Sequence, residues 1–229
     1  MAPIRVIYFS DVLCVWAYAG QARVDAIKRS FASEVLIDYR FCAVFGDTAT
    51  KIGEAWRDRD GFAGYGRHVA GVVKRFEHVT LHPVAWTKVR PASSLSPHVF
   101  LSAVLDWERS TLPAPLEREP KIFESVTWAL RRGFFQDGLD ISRREIQFEL
   151  ARPFAIDLAA VAARIESGAA FATLSADYQS ADKMRIEGSP TLVLNDGRQK
   201  LFGNLGFRVI EANIKELLRD PHQDQASWC

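Results

Sequence analysis

Residues 4–20 read IRVIYFSDVLCVWAYAG: a run of β-branched and aromatic residues that closes at Ser10, a short break, and a cysteine just ahead of residues that suit a helix. The first part predicts a buried strand at 4–10. Helix-compatible sequence continues over 18–31, and a second strand-like run, VLIDYRFCAV, fills 35–44. Strand, helix, strand over about forty residues predicts a parallel βαβ unit with a right-handed crossover.

The far end of the chain is similar in kind. Helices are expected at 157–166 and 170–185, strands at 191–195 and 199–202 around the turn Asp196-Gly197, and an amphipathic helix at 207–218. Between the ends, strand signals are few, and apolar helical patterns mark 97–107, 121–130 and 142–151. The expectation is an α/β fold with a core from 1–45 and 150–220, a large helical insertion at 46–149 and a polar tail at 221–229. Residues 51–90 hold eight Lys or Arg against four Asp or Glu, with His68, His78, His82 and several glycines, so loops and short helices are expected there. The stretch LPAPLEREP at 112–120, with three prolines, reads as a surface connection.

Cys14 stands between the first strand and the first helix. A thiol at a helix N-terminus meets free backbone N–H groups and the positive end of the helix dipole, which favour thiolate, the form that attacks disulfides and electrophiles. Its pKa is therefore expected below the ordinary value of about 8.5 and as the lowest of the three cysteines. The alternative is a buried cysteine acting as a small hydrophobe. Gly188-Ser189-Pro190-Thr191 precedes the strand TLVLN, where a proline belongs at a strand start or in a tight turn because it has no N–H for a ladder.

Taken together, CVWA after the first strand, GSPT before a later one, and the closing hairpin and helix resemble the DsbA-like branch of the thioredoxin superfamily. The resemblance implies a thioredoxin-like fold whose helical insertion is the middle of this chain. It also implies Cys14 as nucleophile, Val15 and Trp16 as the intervening pair of a C-x-x-C motif, Pro190 as a cis-proline packed against Cys14, and Ser189 before it. Trp16, Ser189 and Pro190 become substrate-binding candidates. The second cysteine of the motif is replaced by Ala17, so no thiol at that position can release a mixed disulfide. Cys42 reads as core, Cys229 ends a tail that could reach the site, and an external thiol such as glutathione is the expected resolver.

The scaffold is similar also to glutathione-dependent 2-hydroxychromene-2-carboxylate isomerases and kappa-class glutathione transferases, which usually carry Ser at the Cys14 position. Leu201-Phe202-Gly203-Asn204 resembles their FGN-type segment, making Asn204 a candidate for holding glutathione. Leu205 and Gly206 stand where Asp and Arg commonly follow. Three functions compete: a thiol–disulfide oxidoreductase or isomerase using one cysteine, a glutathione-dependent isomerase or transferase on small aromatic compounds, and a degenerate binding module. Cys14 itself favours the first.

Composition narrows the field. Lys and Arg number 29 against 28 Asp and Glu, which leaves no electrostatic footprint for nucleic acid or an anionic membrane. The N-terminal sequence lacks a signal-peptide pattern and no apolar stretch is long enough to span a bilayer, so a cytoplasmic location is expected. Three widely spaced cysteines make neither a disulfide framework nor a zinc pattern. His78 and His82 are four apart but lack a third ligand, and Pro83 follows at once, so no metal is expected. Trp56, Trp86, Trp107 and Trp128 read as packing residues. No permanently bound cofactor is expected, glutathione stands as a candidate co-substrate, the partners are small or peptidic disulfides and thiols, and a homodimer remains open.

Overall fold

The computed structural model describes residues 3–111 and 121–219. Strands β1 (Ile4–Ser10), β2 (Val35–Phe41), β3 (Thr191–Leu194) and β4 (Gln199–Phe202) form one sheet in the order β2-β1-β3-β4. β1 and β2 run parallel, Ile4 opposite Val35 and Ser10 opposite Phe41, joined by α1 (Val15–Phe31). β3 is antiparallel to β1 and β4 to β3. β3 and β4 are joined by a short turn at Asn195–Gly197 whose last residue has φ 98°, a left-handed value that costs glycine little.

The alternation along β1 divides the core. Val6 and Tyr8 face α1 and α8 (Phe207–Arg219), packing with Val24, Ile27, Phe31, Ile210, Ile214 and Leu217. Ile7 and Phe9 face the other way, with Cys42, Val193 and Ala181. Among the described residues between β2 and β3 the sheet gains no strand: the chain there forms α2 (Gly61–Val73), α3 (Leu95–Thr111), α4 (Lys121–Phe135), α5 (Arg144–Ala151), α6 (Leu158–Glu166) and α7 (Ala169–Lys183). Most of these helices pack into a third apolar cluster that includes Val12, Leu13, Cys14 and Val15. The site loop is thus the seam between sheet and cap.

Several boundaries move. The first helix begins at Val15, directly after Cys14, earlier than expected, and β2 stops at Phe41, with the Cys42 N–H closing the ladder on the Ser10 carbonyl. The larger correction is α2, a thirteen-residue helix in the segment expected to be loops and short helices. Two of its glycines exist for close approach: a Cβ at Gly64 would overlap the Arg59 carbonyl, and one at Gly66 would lie 2.7 Å from Thr87 Cγ2. Trp86, with no exposed surface, fills the space beneath them against Phe45, Tyr65 and Phe134. The expected surface connection at 112–120, the tail at 221–229 and Cys229 lie outside the described residues.

Candidate active site

Cys14 is the N-cap of α1, in extended conformation, with its carbonyl accepting the first helical bond from Tyr18. Its Sγ donates to the Ser189 carbonyl at 3.1 Å. The Ser189–Pro190 peptide bond is cis, and the Ser189 hydroxyl accepts the Asp11 N–H at 2.8 Å. Two contacts separated by some 175 residues therefore lock the strand-to-helix loop to the loop before β3. The Pro190 carbonyl in turn accepts the Gly203 N–H at 2.9 Å, which places Asn204 along the same cavity as Pro190, Gly20 and Arg23. Cys14 meets Ser189 and the cis-proline loop directly, whereas Asn204 shares a cavity with Pro190 and not with Cys14. Trp16, the second residue of α1, lies half-buried and edge-on to Phe76 of the cap at 6.4 Å.

Sequence reasoning missed the support of this loop. Asp11, fully buried, accepts hydrogen bonds from Leu13 N–H (2.9 Å), Phe45 N–H (2.8 Å) and the Ser94 hydroxyl (2.8 Å). His98, also fully buried, accepts the Val12 N–H on Nε2 at 3.1 Å, so the network assigns its proton to Nδ1, which donates to Tyr178 Oη at 2.9 Å. The His98 ring stacks on Phe41 at 4.4 Å. Arg131 reaches from α4 to the Ser10 hydroxyl (3.0 Å) and Gln21 (3.1 Å). Asp11, three residues before Cys14, was visible as a polar break in SDVLC, and His98 as a single histidine on an apolar helix. Apart from Leu13, the hydrogen-bond partners of these two side chains are 34 to 86 residues away, beyond what a local pattern shows.

The titration of this site corrects one expectation. Cys14 is 4% exposed, and burial pushes its thiol above the ordinary value; side-chain and backbone hydrogen bonds from Ser189, Ala17 and Trp16 pull the other way, and the Asp11 charge adds to the rise. Helix-terminal stabilisation of thiolate is present but loses to desolvation. Cys42 is raised too, chiefly by burial. Burial also lifts Asp11 to about 6, against its hydrogen bonds, and lowers His98 to about 3, with Arg131 contributing. His78 bonds the Ala19 carbonyl through Nε2 at 2.9 Å while His82 Nδ1 accepts from Val84 N–H, so the two rings serve separate local contacts.

A βαβ unit with a cysteine at the helix start, closed by a cis-proline loop and a terminal hairpin and helix, defines a thioredoxin-like fold. The description "DSBA-like thioredoxin domain" matches residues 5–215, and the chain belongs to that family. The fold is similar to that of a probable DsbA oxidoreductase from Streptomyces coelicolor, with 21% identity over 99% of this chain and 94% of that one and a TM-score of 0.70. It is similar also to the cytosolic disulfide reductase DsbM from Pseudomonas aeruginosa with GSH (16% identity, 94% and 100% coverage, TM-score 0.64). A 2-hydroxychromene-2-carboxylate isomerase shares the fold as well (15% identity, 97% and 100% coverage, TM-score 0.65). At these identities the likeness concerns the fold. No curated protein sequence matches significantly. Among the described residues no helix is long and apolar enough to cross a membrane.

Proposed function

We propose that this protein is a thiol–disulfide oxidoreductase in which Cys14 works alone through a mixed disulfide. The supporting observation is the position of Cys14 Sγ, at the start of α1 and 3.1 Å from the backbone of the cis-proline loop. Cys14 thiolate attacks one sulfur of a disulfide. The Cys14–substrate S–S bond forms as the original S–S bond breaks, and the other half leaves as thiolate with the bonding pair. A second external thiolate then attacks the mixed disulfide at the substrate sulfur and frees Cys14. Ala17 holds the place from which a second protein thiol would act, so an outside thiol such as glutathione completes the cycle, in keeping with a cytoplasmic, reducing setting. Trp16, Ser189 and Pro190 line the approach, and Asn204 is the candidate contact for glutathione.

Mass spectrometry after mixing with oxidised glutathione tests this. One glutathione adduct on Cys14, absent in Cys14→Ser and removed by reduced glutathione, is the expected result; no adduct at any pH up to 10 sinks the redox reading. The raised thiol favours a second reading, a degenerate site that binds ligands at the Pro190 loop without chemistry. That reading predicts a Cys14 inert to disulfides even when alkaline pH ionises it.

A further inference from the structure

Trp16, Gly20 and Arg23 of α1 lie on one helix face leading away from Cys14. Gly20 and Arg23 of this face line a cavity, and the face with the residues beside it makes up a trough. On one side stands Pro190, whose Cγ would be 3.8 Å from a side chain at Gly20, followed by Asn204 in a cavity that Arg23 also lines. On the other side the chain after α2 sets Phe76 edge-on to Trp16. Two guanidinium groups rest on these rings: Arg75 is 5.5 Å from the Trp16 ring centroid and Arg23 is 5.6 Å from that of Phe76.

Cation–π contact fixes a guanidinium without neutralising it or using up its N–H donors. Among the described residues, neither Arg23 nor Arg75 stands within 4.0 Å of a carboxylate oxygen. Some other arginines do, as Arg67 with Asp60 at 2.9 Å and Arg40 with Asp38 at 3.0 Å. Lys74 adds a neighbouring positive charge, and Glu77 is the sole carboxylate of residues 74–78. Arginines held in place with free donors are preorganised for bidentate capture of carboxylate.

We infer that the trough selects disulfides that carry carboxylates, with Arg23 and Arg75 as the residues that determine this specificity. The inference rests on Cys14 as the reacting thiol. In the step it governs, Cys14 thiolate bonds to the near sulfur of an anionic disulfide, the S–S bond of that disulfide breaks, and the departing half leaves as a thiolate that takes its proton from water. The disulfide is the oxidant and is reduced; a cationic disulfide undergoes the same step against repulsion.

The test compares three small symmetrical disulfides on the full chain: dithiodipropionate (anionic), hydroxyethyl disulfide (neutral) and cystamine (cationic). Rates of adduct formation on Cys14 are each divided by the rate with free cysteine. The anionic-to-cationic ratio should exceed about tenfold at low salt and shrink as salt is added. Arg23→Gln and Arg75→Gln should each reduce it and the double variant bring it near one, whereas Arg90→Gln, which removes a cation–π pair on Phe62 away from the trough, should keep the wild-type ratio. A wild-type ratio near one, or a double variant that keeps the wild-type ratio, overturns the inference. Failure of all three disulfides to react overturns the Cys14 reading instead. Charge selection is then read by calorimetry on Cys14→Ser, where cystamine binding as tightly as dithiodipropionate refutes the trough.

Discussion

At Cys14 the helix N-terminus and the buried setting act in opposite directions, and the setting wins. The consequence is a thiol that rests protonated, its S–H donated to the Ser189 carbonyl. Alkylation rate against pH should therefore inflect above the ordinary thiol value of about 8.5. Asp11 sharpens this, because its charge disfavours a second negative charge nearby. Asp11→Asn should move the Cys14 inflection to lower pH. It should also cost about 2–4 kcal/mol in chemical denaturation, since an amide offers one oxygen where two now accept Leu13 N–H, Phe45 N–H and the Ser94 hydroxyl. An inflection that stays or rises in Asp11→Asn would remove Asp11 from the control of the thiol. Cys14 and Pro190 were legible because a residue's place relative to a strand end can be read locally. The acidity of Cys14 was not, because the atoms that bury it come from α2, α3 and the loop before β3.

The helices and strands at both ends of the chain announce themselves by period, and the described structure departs from those readings by a few residues at the boundaries. Segment 51–90 is different because glycine carries two meanings that a sequence does not separate: a weak point in a helix, or a place where another backbone must come close. Gly64 and Gly71 in α2 distinguish them. Gly64 faces the Arg59 carbonyl with no room for a methyl group, while a Cβ at Gly71 would meet nothing within 4 Å. Gly71→Ala should stabilise by about 0.5–1 kcal/mol through helix propensity alone. Gly64→Ala should destabilise by more than about 2 kcal/mol, the backbone being the atom that must give way. Denaturant midpoints of the two variants decide this, and equal effects of either sign would contradict the packing account of α2.

For the whole molecule, sheet and cap are tied through buried polar groups, so its acid response follows from their protons. His98 stays neutral in the folded protein down to about 3, whereas in the unfolded chain it protonates near 6.5; the stability it contributes is present above 6.5 and is lost at up to about 1.4 kcal/mol per pH unit below. Asp11 and Asp177, raised to about 6 and about 7 mainly by burial, act in the opposite sense. The folded state binds their protons before the unfolded chain does near 4, so their penalty is relieved as pH falls through 7 and 6. Two groups outweigh one, and stability should hold or rise from pH 7 to pH 5. A steady fall of the denaturation midpoint over that interval would contradict these assignments.

The lifetime of the Cys14–glutathione mixed disulfide, followed by intact mass with all free thiol removed, tests the single-cysteine account most directly. Ala17 is buried one turn from Cys14, and its place has no sulfur to attack the adduct. The wild-type adduct should persist until a thiol is added, and Ala17→Cys should lose it at once, releasing one glutathione and forming an internal Cys14 disulfide. A wild-type adduct that clears unaided as fast as in Ala17→Cys would show that another group in this chain resolves it, and that Cys14 does not work alone.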